Sequence, residues 1–167
     1  YMRQIWRLEA PFGSFLLRED SNKPIIFVAG GTGFAPVKGM IEHMLYLQNK
    51  DSHINREIIL YRGVRQLRDL YMHDLCEKWA QLIPNIRYIP VLSEPVENDN
   101  WQGRTGLVHQ AVLDDFGDLS AYQAYACGAP AMVDIAHQTF VQQGLESDEF
   151  FSDAFTFANP APKIATT

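Results

Sequence analysis

The sequence predicts an α/β protein built on a doubly wound, parallel sheet of five or six strands. Three observations carry this. Ile25 to Ala29 is an unbroken apolar run, the pattern of a strand buried on both faces. Stretches with apolar residues at helical spacing alternate with further short apolar runs. Glycine and proline cluster where each run hands over to the next helix, as strand-to-helix turns require.

The elements follow in order. Met2 to Leu8 alternates like a strand, and APFGSFLLRED reads as a turn and a second short strand. These two strands have no partner of their own. Ile25 to Ala29 is the first strand of the sheet. Pro36 opens the first helix, because the first turn leaves its amides unpaired anyway. That helix continues through Val37, Met40, Ile41, Met44 and Leu45. Glu57 to Tyr61 is the second strand, and Leu67, Leu70, Tyr71, Leu75 and Trp79 mark the second helix. Ile86 to Leu92 is the third strand. The polar stretch SEPVENDNWQGRTG, residues 93–106, reads as a long and therefore functional loop. A short helix spans about Leu107 to Leu113, and Tyr122 to Cys127 is the fourth strand. Pro130 opens a third long helix carrying Met132, Val133, Ile135, Ala136, Phe140 and Val141, with Gly144 at its C-cap position. Phe150 and Phe151 form a last short strand, and ANPAPKIATT reads as a loose tail. No internal repeat is visible.

Composition bounds the function. A chain of 167 residues with 47% hydrophobic and 20% charged residues fits one domain with a real core. The net charge of −6 argues against a general nucleic-acid surface. No apolar run approaches a membrane span, and the N-terminus shows no signal-peptide pattern. Cys76 and Cys127 lie far apart, which gives neither a disulfide framework nor a metal ligand set. A reduced, cytoplasmic protein is the simplest expectation.

In doubly wound sheets ligands bind at the carboxyl ends of the strands. This singles out four turns: Gly30 to Pro36, Arg62 to Arg65, Ser93 to Glu97, and Cys127 to Pro130. In the first, Gly30, Gly31 and Gly33 permit close backbone approach, and amides at a helix start can face an anion. No lysine follows them, which argues against a triphosphate loop. The bland alternative is a tight turn with no ligand. Arg65 and Arg68 are placed to meet a ribose or phosphate, or are a surface pair. Asp69 can cap the following helix or pair with Arg68. Cys127, before Gly128, Ala129 and Pro130, is either a thiol set against a ligand or a plain buried cysteine. A nucleophilic role needs a base in reach. His43, His73 and His137 fall inside helices, and none of the five histidines lies near a strand's carboxyl end on this reading. Tyr46 and Lys50 form a Y-x-x-x-K pair at the far end of the first helix, where it faces away from the ligand edge.

Taken together, GGTGFAP, YRGVRxxxDLY, VLSEP…WQGRTG, YACGAPAMV and FFSDAF resemble the nicotinamide-binding half of the ferredoxin–NADP reductase superfamily. The likeness is strongest to bacterial NADH-dependent flavoprotein reductases, the electron-transfer components of aromatic-ring oxygenases and the CDP-6-deoxyglucoseen reductases among them. It covers nearly the whole chain. LEAPFGSFLLRED resembles the end of the family's flavin barrel, with Ala10 where glycine is usual. The resemblance implies three parts: residues 1–22 as the last strands of a truncated FAD-binding barrel, 23–157 as the NAD(P)H-binding domain, and 158–167 as a flexible tail. An upstream FAD-binding domain becomes the expected partner, with a possible [2Fe–2S] ferredoxin domain ahead of it or a separate oxygenase.

The resemblance also implies roles. Gly31, Thr32, Gly33 and Pro36 border the pyrophosphate and nicotinamide. Cys127 and Gly128 sit beside the nicotinamide, and Thr32 orients that ring. Gly30, Arg65, Ser93, Glu94 and Met132 complete the implied cofactor contacts, and no metal ligand is implied within the chain. Asp153 is the acid, and Phe151 or Phe155 the aromatic, expected near the flavin. Ser93-Glu94 stands where NADPH-specific members have serine-arginine, and Gly106 stands near where they carry an adenine-stacking tyrosine. Both imply NADH rather than NADPH, although Arg65 and Arg68 remain available to a phosphate. The implied activity is hydride transfer from NADH to FAD, then to an iron–sulfur centre, a free flavin or a partner. Two other readings stay open: a non-catalytic nucleotide-binding regulatory module, and a hydrolase using Cys127.

Overall fold

The computed structural model describes residues 13–50 and 55–155. The strand expected at Met2 to Leu8, Ala10 and the tail lie outside the described residues. Six strands form one sheet, all paired in parallel. They are β1 (Ile25–Gly30), β2 (Ile58–Val64), β3 (Ile86–Leu92), β4 (Arg104–Thr105), β5 (Gln123–Gly128) and β6 (Phe150–Ala154), in the order β4-β3-β2-β1-β5-β6. The order reverses between β1 and β5, which creates the crevice at which such sheets bind ligands.

Helices α1 (Phe34–Lys50) and α2 (His73–Leu82) cover one face, and α3 (Val108–Asp115) and α4 (Pro130–Gln142) the other. The strand period of two divides the core between these layers. Ile25, Phe27 and Ala29 pack with Phe34, Ile41 and Trp79. Ile26 and Val28 pack with Val112, Ala136 and Phe140.

Four expectations are corrected. Helix α1 starts at Phe34, after a 3-10 turn over Gly31–Gly33, and Pro36 falls inside its first turn instead of opening it. Strand β2 runs on to Val64, so Arg62 and Gly63 belong to the sheet and not to a turn. The expected second helix is split. Leu67–Asp69 is a separate 3-10 turn, and Met72, with a left-handed φ of 57°, breaks the run before α2. The long loop 93–106 contains a 3-10 turn at Glu97–Asp99 and the two-residue strand β4.

The short strand expected in APFGSFLLRED is not formed by its described residues, 13–20. Side chains take up that segment's backbone groups instead. The Arg18 amide donates to the Tyr125 hydroxyl at 2.9 Å, and Arg56 donates to the carbonyls of Arg18 and Lys23, both at 2.8 Å. Arg56 is held in turn by Gln123, which donates to Glu149.

Candidate functional site

The site is built where the carboxyl ends of β1 and β5 close on each other. Gly31 takes φ 49°, which turns the chain from β1 into the helix. Gly33 is buried, and a Cβ there would overlap the carbonyl carbon and oxygen of Cys127. Bare backbone therefore lies on bare backbone, with the start of α1 fixed against the end of β5. On the other side of β1, Val108 seats on Gly63, where a Cβ would come within 2.6 Å of its own. That contact brings the start of α3 to the end of β2.

Between these fixed points lies a cavity of about 620 Å³ along the carboxyl ends of the strands. Its inner wall is Gly30, Gly31 and Thr32. Ala129, Met132 and Ile135 face it from α4 and the turn before it, and Gly63, Val64, Arg65 and Asp69 from β2 and the turn after it. The outer end is Ser93 with Gly106 to His109, and Phe155 closes one side. Leu107 and Ile135 are exposed apolar side chains at its rim. The charged residues lining it are Arg65 and Asp69.

Of the residues singled out from sequence, the cavity collects Gly30, Gly31, Thr32, Arg65, Ser93 and Met132. Gly33 lies directly beneath its floor. Pro36, Glu94, Gly128, Cys127 and Asp153 do not line it. The Cys127 side chain is wholly buried in the layer under α1. Burial first, and then the nearby Asp153 carboxylate, push the thiol up to about 12, so it stays protonated and non-nucleophilic near neutral pH. Asp153 itself is exposed, beside Cys127 in the β5–β6 register. Glu94 stands at the rim, its carboxylate 3.9 Å from the Arg65 Nε and its amide donating to the Arg65 carbonyl at 2.8 Å. Arg68 does not reach the cavity. Asp69 caps its 3-10 turn, accepting from the Gln66 amide at 3.2 Å. At the far end of α1, the Lys50 ammonium stands 4.9 Å over the Tyr46 ring, away from the cavity.

The expectation that no histidine lies near a strand's carboxyl end is overturned. His109, in the first turn of α3, lines the cavity and is only 8% exposed. Burial holds its pKa below the ordinary imidazole value, so the ring is neutral around pH 7. Its place directly after the GRTG turn was the available signal. The short helix hid it, because nothing in the apolar spacing shows that Val108 seats on Gly63.

The lining suits a ligand with an anionic group at one end and an apolar body. The inner wall offers main-chain amides at the start of a 17-residue helix, and the rest is mostly apolar with a few polar groups. Among the described residues no cluster of three or more histidine, cysteine or acidic side chains is arranged to hold a metal. No helix among them is long and apolar enough to cross a membrane.

Comparison with known proteins agrees with this geometry. The family model described as "Oxidoreductase NAD-binding domain" matches residues 27–138. Protein RfbI of Salmonella typhimurium is 45% identical over 155 residues, covering 93% of this chain and 44% of RfbI. The CDP-6-deoxy-L-threo-D-glycero-4-hexulose-3-dehydrase reductase of Yersinia pestis is 46% identical over 154 residues, covering 92% of this chain and 44% of that protein. Among solved structures, the Amycolatopsis cytochrome P450 reductase GcoB superposes with a TM-score of 0.79 at 31% identity, over 90% of this chain and 44% of GcoB. The chain thus spans less than half the length of each of these three proteins.

Proposed function

The chain belongs to the oxidoreductase NAD-binding domain family, of ferredoxin reductase-like fold, and from that premise we propose that it is the nicotinamide-binding part of a longer NADH-dependent flavoprotein reductase. Residues 1–22 are then the end of an upstream FAD-binding domain. The observation that carries this reading is the contact of Gly33 with the Cys127 carbonyl. It fixes a helix start, whose first lysine is Lys38, at the inner end of a cavity of about 620 Å³.

When bound, NADH supplies a hydride, and FAD held by the upstream domain is its acceptor. The chain's own residues bind and orient. Amides of Gly31 and Thr32 face the diphosphate, where helix-start donors suffice. Met132 and Ile135 give the nucleosides an apolar wall, and neutral His109 offers one hydrogen bond from the opposite side. Thr32 orients the nicotinamide edge. Cys127, protonated and packed beneath Gly33, backs that edge without competing for the reaction, and Asp153 stands beside it toward the flavin. No protein base is needed, because hydride transfer asks for alignment and exclusion of water.

Glu94 supports NADH over NADPH twice. It repels a 2′-phosphate, and it draws the Arg65 charge to itself at the rim. The electrons leave toward an iron–sulfur centre, a free flavin or an oxygenase partner. The test is anaerobic addition of NADH to the full-length polypeptide with its flavin in place. Bleaching of the flavin's visible band is expected, faster than with NADPH. A flavin that NADH leaves oxidised, or a full-length chain that binds no flavin, overturns the reading.

A further inference from the structure

Arg62 is wholly buried in β2, on the face covered by α1 and α2. Its Nη1 donates to the Tyr71 carbonyl at 2.6 Å and lies 3.9 Å from the Cys76 sulfur. The guanidinium carbon stands 3.9 Å over the Phe34 ring and 4.9 Å over that of Tyr71. Nε and Nη2 make no well-formed hydrogen bond among the described residues, and the Tyr88 hydroxyl is the further polar group that stands near the guanidinium. No carboxylate pairs with it either: the arginines in ion pairs there are Arg65, Arg87 and Arg104. A guanidinium keeps its charge in a protein, and two aromatic faces offset only part of the cost of burying it. An apolar side chain of similar volume would serve the fold as well or better.

The place of this cation suggests what it serves. Arg62 lies beside Ala29 in the β1–β2 register, one residue before Gly30. Its charge rests on Phe34, the first residue of α1 and the one that follows the Gly31–Gly33 turn. That turn carries no charge of its own from Gly30 to Val37, and Lys38 is committed to Glu42 at 2.7 Å. Arg65, at the cavity, stands by Glu94. A diphosphate on this loop would bring negative charge to a place where no side chain of the loop balances it. A cation held in the core is screened far less by salt than one at the surface.

Resting on the reading given under Proposed function, we propose that Arg62 is a positioning residue for the dinucleotide, supplying from inside the core the positive charge that the glycine loop lacks. It acts through space and through Phe34, without touching the ligand.

The test titrates ADP-ribose, which has the diphosphate but no redox chemistry, into the full-length protein by calorimetry. Wild type is compared with Arg62→Lys, Arg62→Met and Arg62→Trp, and the melting temperature of each is recorded. The two uncharged variants should bind ADP-ribose about tenfold more weakly, equivalent to about 1.4 kcal/mol. They should melt no lower than wild type, and Arg62→Lys should bind within about threefold of it. Where one uncharged variant does not fold, the other decides. Wild-type affinity in the uncharged variants overturns the inference. So does an equal loss in the lysine variant, or failure of both uncharged variants to fold or to hold the wild-type melting temperature, since each marks a packing role. A wild-type protein that binds neither ADP-ribose nor NADH overturns the functional reading itself, before any variant is compared.

Discussion

The two ends of the cavity are made of different material. At the inner end, Gly33 lies on the Cys127 carbonyl, and main chain meets main chain. At the outer end, Arg65, Glu94 and Leu107 are exposed side chains. Gly33 has no room for change, because an added methyl group there meets the backbone of β5. These three rim residues can be exchanged with little effect on packing, because their side chains are exposed. Under the proposed function the two ends take separate tasks: the backbone would fix where the ligand lies, and the rim side chains would select which ligand it is.

The sharpest way to break this division is Gly33→Ala. The new Cβ overlaps the Cys127 carbonyl, so either the helix start or the end of β5 must move. Overpacking of this kind costs about 1–3 kcal/mol. Urea denaturation should read that loss, and NADH affinity should fall more than tenfold with it. A variant with unchanged stability and affinity would show that the contact fixes nothing.

A smaller effect is expected at the rim. On the proposed function, Glu94→Gln removes the carboxylate that would repel a 2′-phosphate and the partner that stands 3.9 Å from Arg65. The kcat/KM ratio of NADPH to NADH should rise about tenfold, worth about 1.4 kcal/mol, with stability unchanged. If the ratio stays fixed, selection lies elsewhere.

Smaller again is the contribution of His109. Its folded pKa lies below the ordinary value of 6.5. The unfolded chain therefore takes the proton first as pH falls, and stability is lost as pH drops through about 6.5 toward the folded value. His109→Gln should lose less melting temperature than wild type between about pH 7.5 and 5.5. Parallel curves would mean that the imidazole is not held neutral by burial.

The smallest effect belongs to Lys50→Met. The Y-x-x-x-K pair sits at the far end of α1, so NADH turnover should change less than twofold and stability by no more than about 0.5 kcal/mol.

The sequence exposes the inner end better than the outer one, for physical reasons. A strand buried on both faces reads as a continuous apolar run, so β1 shows itself at Ile25 to Ala29, one residue short of its end at Gly30; the partly exposed β3 has the expected bounds, Ile86 to Leu92. The glycines between β1 and α1 mark close approach directly. The outer end depends on features with no local signature. Strand β4 is two residues long and exists because β3 offers it an edge. The left-handed Met72 splits an apolar pattern that reads as one helix. His109 reaches the cavity through a contact between Val108 and Gly63, far apart in the chain. Arg62 falls in the expected turn from Arg62 to Arg65, yet the strand continues to Val64 and Arg62 is buried in the core.

The central claim, that main-chain amides at the inner end hold the diphosphate, is tested most directly by hydrogen exchange on the full-length protein with and without saturating ADP-ribose. Exchange at Gly31 to Phe34 should slow on binding, while the Tyr46 to Lys50 end of the same helix stays unchanged. Binding that leaves exchange at Gly31 to Phe34 untouched would contradict the account.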